Sequence, residues 1–189
     1  MDNTLEDTDR ENKLDFFFGV IRKRRACRDF DSKPVPRVIL DRIVLAAHRA
    51  PTAGNSPYRF AVLVVDPNQL MLLKMVSPGL FGNPPALLVI CTNMRIAEDG
   101  GDLWVKLSRT DAGAAAENAV LAAYAMGLGA SFIKSYSEAA VRKVLKIPDH
   151  CRTEIIVSLG FPSKDELPPI KKGKAGKITY LNFFGNEKN

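Results

Sequence analysis

With 189 residues, 46% of them apolar and 25% charged, the chain suits one domain with a real core and excludes a disordered body. The formal charge is +6, and the first thirteen residues hold five acids against two bases, so the body is more basic than the whole. No apolar run reaches the ~20 residues of a membrane span. The acidic, polar Met1–Asp9 is no secretory leader, which predicts a cytoplasmic product that uses no membrane.

Residues 1–12 read as a mobile acidic tail, 13–182 as a single domain and 183–189 as a C-terminal tail. From Leu14, Phe16, Phe17, Phe18, Val20 and Ile21 recur at helical spacing, predicting a short helix that carries the next segment to the surface of a core. That segment is Arg22-Lys23-Arg24-Arg25-Ala26-Cys27-Arg28-Asp29-Phe30, rich in arginine, whose planar fork suits phosphate and stays charged at any working pH. It reads either as half of an anion site or as a basic helix end complementing the helix dipole.

Pro36 begins a second helix with Ile39, Leu40, Ile43, Val44 and Ala47 inward. The loop Pro51-Thr52-Ala53-Gly54-Asn55-Ser56-Pro57 is dense in turn formers and small polar groups, fit for close approach to a ligand or simply a connection. Arg59–Val65 has the pattern of a central strand covered on both faces. Asp66 with Pro67 starts a helix, and after the breaker-rich 77–85 a second buried strand spans Ala86–Thr92. Residues 98–104, ending in the lone Trp104, read as a lid, a substrate wall or an anchored excursion. A helix over Asp111–Met126 starts with small residues that predict a central buried helix or a subunit contact. A third strand at Ala130–Lys134, a helix from Ser137 and a fourth strand at Glu154–Gly160 come next.

Cys27, Cys91 and Cys151 are far apart, which argues against a disulfide framework or structural zinc, and His48 and His150 have no ligand-spaced partners, so no metal is expected. Cys91 reads as core. Cys27 is either a passive small residue or a thiol whose pKa the neighbouring arginines lower.

Several of these pieces resemble the FMN-dependent nitroreductase family over roughly residues 14–182. The likeness is carried by Arg24–Phe30, Pro34-Val35-Pro36, Ala46–Asn55, Asp111–Asn118, Gly127-Leu128-Gly129 and Leu159–Pro162, in this order and spacing. It implies an α+β fold of three layers, a mixed central sheet flanked by helices, in an intertwined homodimer with FMN sites built from both chains.

By the same resemblance, Arg24 and Arg25 meet the FMN phosphate and ribityl region, and Arg28 approaches the ring at N1 and O2, where it tunes the flavin. Ala26 replaces the family's serine, leaving backbone contacts there. Thr52, Ala53 and Asn55 contact the flavin across the dimer interface; after Asn55 this chain reads Ser56-Pro57-Tyr58, without the glutamine common in the family. The stretch Phe132-Ile133-Lys134-Ser135 offers a backbone N–H to flavin N5, and Lys171 with Lys172 closes over the phosphate. No catalytic residue beyond the flavin is implied. The implied reaction is ping-pong: NADH or NADPH gives hydride to N5, and a small acceptor such as a nitroaromatic or quinone takes the electrons. An alternative is a non-catalytic FMN-binding or flavin-storage protein of the same fold. Nucleic acid is disfavoured as a partner, because the aromatics fall in apolar runs and do not interleave with Arg and Lys.

Overall fold

The computed structural model describes residues 3–163 and 179–186. The elements are α1 Asn3–Lys23, α2 Arg37–His48, β1 Arg59–Val64, α3 Pro67–Met75, β2 Ala86–Asn93, α4 Met94–Asp99, α5 Asp102–Ala125, β3 Gly129–Ile133, α6 Glu138–Leu145 and β4 Cys151–Gly160, with a 3-10 turn at Ala53–Asn55. The expected helix starts hold where a local cap sets them. The Asp66 carboxylate accepts from the Gln69 N–H at 2.9 Å, and the Ser137 hydroxyl accepts from the Ala140 N–H at 3.4 Å.

The strands form one sheet of order β1-β2-β4-β3, every neighbour antiparallel. Among the described residues the parallel component of the expected mixed sheet is a single bridge, Ala26 to Ala130. Alternation along β2 divides the core in two. Leu88 and Ile90 join Leu40, Ile43, Ala47 and the α5 alanines on one face, while Leu87, Val89 and Cys91 join Leu73, Val141 and Ile156 on the other. This double burial explains the unbroken apolar reading of β2. The same expectation fails for β1, which lies at an edge with Arg59 to Leu63 only half-buried. Composition alone does not distinguish an edge strand from a central one.

Helix α5 is the buried central helix its small residues predict, with Ala112, Ala115, Ala116, Ala119 and Ala123 in the core against α2. It starts at Asp102, ahead of the expected Asp111, so residues 98–104 are the end of α4, a Gly100-Gly101 junction and the first turn of α5. They form no loose excursion. Similarly, α1 begins at Asn3 rather than Leu14, extending through the acidic segment read as a tail; the Asp9–Lys13 ion pair one turn apart supports it. Its apolar residues do not enter the core. Phe16, Phe17 and Phe18 are 63%, 55% and 58% exposed, and of this set only Val20 is buried. No helix among the described residues is long and apolar enough to cross a membrane.

The β2–β4 register slips between Ile90 and Cys91: Ile90 faces Ile155 and Cys91 faces Thr153, so Glu154 is the extra residue of a bulge. The bulge turns the Glu154 carboxylate inward. There it accepts from Thr92 Oγ1 at 2.8 Å and Arg152 Nε at 2.7 Å, and Arg152 also donates to Ser108 Oγ on α5 at 2.8 Å.

Candidate functional site

After α1 ends, Arg24–Phe30 runs extended beside the sheet. The Cys27 N–H donates to the Ala130 carbonyl at 2.9 Å and Asp31 N–H to Phe161 at 2.9 Å, and Phe30 bridges Pro162. The basic stretch is therefore held along β3 and the exit of β4, and it is not simply a helix terminus. Its one ion pair among the described residues is Arg24 Nε to Glu117 Oε1 of α5 at 3.6 Å. Arg25 donates to the Arg22 and Arg24 carbonyls at 3.0 and 2.8 Å, while its Nε is buried with no partner. Arg28 is exposed, its guanidinium 5.7 Å from the centre of the Phe81 ring. Cations thus outnumber acids here.

Ala26 is exposed and contributes backbone, through its bridge to Ala130. Cys27 is 3% exposed and packs against Gly129; burial pushes its thiol up, and its Sγ donates to the Asp29 carbonyl at 3.1 Å. Of the two readings of Cys27, burial favours the passive small residue. At the end of β3, Phe132 is exposed and Ile133 is buried. The Lys134 ammonium donates to the carbonyl of the bulged Glu154, and the Ser135 carbonyl accepts from Gly79 N–H at 2.9 Å. Lys171 and Lys172 lie outside the described residues.

The sequence reading passed over the 77–85 connection. Phe81 and Gly82 lie against Arg28, and Gly79 against Ser135, so this stretch joins two of the expected site segments. Its glycine and proline density was the available signal.

The 51–57 loop is a separate, rigid unit. Gly54 and Asn55 are left-handed, at φ 60° and 52°, and a Cβ on Gly54 would come within 2.5 Å of the Trp104 ring. Asp111 of α5 accepts from the Ala53 N–H at 2.8 Å and from the Tyr58 hydroxyl. Arg59 donates to the carbonyls of Ala50, Pro51 and Asp111. Thr52 Oγ1 donates to the Ser56 carbonyl at 2.9 Å, and the Ser56 hydroxyl is buried without a partner. Trp104 and Asp111 are thus props of the loop, a role invisible from spacing. No hydrogen bond or ion pair among the described residues joins this loop to Arg24–Arg28.

Tyr58 is fully buried, and burial together with the Asp111 carboxylate pushes its phenol up to about 12. Since the folded value exceeds the ordinary 10.0, this proton's contribution to stability is complete below pH 10 and is lost as pH rises through about 12. Tyr58→Phe is expected to destabilise by about 1–3 kcal/mol at neutral pH. Its stability should also fall less steeply than the wild type's across that alkaline window. Urea denaturation at a series of pH values checks both, and parallel profiles would show that Tyr58 does not carry the coupling.

Comparison with known proteins places this arrangement. The nitroreductase family model matches residues 21–75 and 68–161, the span that holds the basic stretch, the 51–57 loop and all four strands. The chain belongs to the nitroreductase family. Within this family of oxidoreductases it is 33% identical, over 78% of its own length and 85% of the relative's, to an Archaeoglobus fulgidus protein named for NADH dehydrogenase/NAD(P)H nitroreductase activity. A Methanothermobacter thermautotrophicus protein of the same designation is 28% identical over 77% of the chain and 76% of the relative. Among solved structures, an FMN-dependent nitroreductase of Clostridium difficile is 26% identical with a TM-score of 0.73, covering 88% of this chain and 99% of that one. A nitroreductase family protein of Clostridium novyi superposes with a TM-score of 0.71 at 26% identity, covering 78% and 85%. This nitroreductase-family chain therefore shares the α+β fold of those structures.

An anionic nucleotide such as FMN fits the groups found. Arg24, Arg25 and Arg28 have one ion pair between them among the described residues, to Glu117, so this stretch carries net positive charge that suits a phosphate.

Proposed function

We propose that the protein is an FMN-dependent NAD(P)H oxidoreductase that reduces small acceptors such as nitroaromatics or quinones, acting as a cytoplasmic homodimer. The observation that carries this reading is the arginine-rich stretch Arg24–Arg28, whose one ion pair among the described residues is Arg24 to Glu117, in a chain of the nitroreductase family. Arg24 and Arg25 would hold the phosphate, with Lys171 and Lys172 added from outside the described residues. Arg28, the backbone at Ala26 and the stretch Phe132–Ser135 would serve the ring. Thr52, Ala53 and Asn55 would come from the second copy. When bound, FMN supplies hydride transfer between the nicotinamide donor and the acceptor.

The chain's own residues bind, orient and shield. Guanidinium groups fixed before binding favour negative charge at low reorganisation cost, most effectively once water is excluded. Two observations support the second copy. Among the described residues the 51–57 loop and the basic stretch share no hydrogen bond or ion pair within one chain, and the Phe16–Phe18 surface of α1 is exposed. A partner would cover that surface and bring its own loop to the site.

The purified protein should be yellow and release FMN on denaturation. Its flavin absorbance should bleach within the mixing time range of stopped flow on anaerobic addition of NADH or NADPH. A colourless protein that takes up no added FMN would remove the cofactor assignment. FMN that neither donor bleaches would leave a flavin-storage protein in place of an enzyme.

A further inference from the structure

The 77–85 connection between α3 and β2 is unusually well fixed for an exposed turn. Leu80 is buried, and its N–H donates to the Ser77 carbonyl at 2.9 Å. Gly79 is tied to Ser135, and Lys74 of α3 donates to the Gly82 carbonyl at 2.7 Å and to the Asn83 side chain. Gly82 has φ +67°, and a Cβ there would lie 2.3 Å from the Arg28 carbonyl oxygen, so the turn presses directly on the Arg28 backbone. Between these fixed points Phe81 is 57% exposed, and its one aromatic or ionic contact among the described residues is the Arg28 guanidinium. Backbone and side chain of Arg28 are thus both met by this turn. An arginine on the protein surface ordinarily samples many rotamers, and a ring under its guanidinium favours one of them.

We propose that Phe81 is a positioning residue for Arg28: its face holds the guanidinium in one orientation before FMN binds, and so shifts the balance between oxidised and reduced FMN toward the reduced form. The inference rests on the FMN reading above. The shift arises because the negative charge of reduced FMN would hold the guanidinium more firmly than oxidised FMN does, and the cation–π contact bounds it at about threefold to tenfold in the ratio of the two affinities. For a two-electron couple a tenfold change is about 30 mV, so the span is about 15–30 mV.

Two measurements test it on Phe81→Leu and Phe81→Tyr. In the flavin-free protein labelled with 15N-arginine, the Arg28 Nε–H should be ordered in the wild type and in Phe81→Tyr and mobile in Phe81→Leu. With FMN in excess, the midpoint potential of the bound flavin should fall by about 15–30 mV in Phe81→Leu and stay at the wild-type value in Phe81→Tyr. Adding Phe81→Leu to Arg28→Met should move the potential no further. An unchanged potential in Phe81→Leu, an equal fall in Phe81→Tyr, or the same fall on the Arg28→Met background would each overturn the proposal. A protein that takes up no FMN would sink the functional reading instead, and the mobility of Arg28 would still decide whether Phe81 orders it.

Discussion

Arg24→Ala is expected to raise the FMN dissociation constant by about tenfold to a hundredfold, while Arg37→Ala leaves it unchanged. A hydrogen bond to a charged group contributes about 1.5–3 kcal/mol, and each 1.4 kcal/mol is a factor of ten. The environment enlarges the effect at Arg24. Its side chain is 32% exposed and paired at 3.6 Å with Glu117, so its removal also leaves a carboxylate uncompensated beside the proposed phosphate site. Arg37 provides the control, since it is equally cationic but 74% exposed and paired with Asp41 one turn along α2. Such surface pairs contribute little. Fluorescence titration of the flavin-free variants at fixed ionic strength reads the difference. Equal affinities in the two variants would mean that the phosphate is held elsewhere.

The largest loss of stability should come from Arg152→Met. In the native protein Arg152 places two nitrogens on the Glu154 carboxylate, at 2.7 and 2.6 Å, and the Glu154 side chain is 4% exposed. Without the guanidinium the Thr92 hydroxyl alone remains among its described partners, and breaking such a buried pair from one side costs about 3–5 kcal/mol. That is a large share of the ~5–15 kcal/mol typical of a whole domain. Replacing both members, Arg152→Met with Glu154→Leu, removes the stranded charge and should recover most of the loss. Urea unfolding followed by circular dichroism gives the three free energies. A loss below about 1 kcal/mol in the single variant, or a double variant no more stable than the single, would contradict a dominant role for the buried charge.

Much of the local structure is legible in the residues. Asp66 and Ser137 cap helices because the bond they make is to an N–H three residues away, and the apolar run at Ala86–Thr92 is a strand buried on both faces. The motif at Asp111–Asn118 also acquires reasons: Asp111 fastens the 51–57 loop, Glu117 meets Arg24, and Asn118 donates to the Ala46 carbonyl of α2 at 3.2 Å. Spacing marked those residues but did not say what each one holds. Trp104 likewise reads as a lid or an anchor from its polar neighbours, and only its contact with Gly54 makes it a support for the loop.

What the sequence determined by itself is whatever depends on neighbours within a turn or two: caps, breaks, apolar periods, the arginine-rich stretch and the ordered motifs that mark the family. The tertiary structure decided which of these are buried and against what. The Phe16–Phe18 run is apolar and helical yet stays out of this chain's core, and Cys27 sits among arginines yet is desolvated, with its thiol pushed up. Glu154 is an ordinary acid in a strand until a one-residue bulge turns it inward to Arg152. Burial and pairing are fixed by the elements that pack from far along the chain, and those energies outweigh local preference.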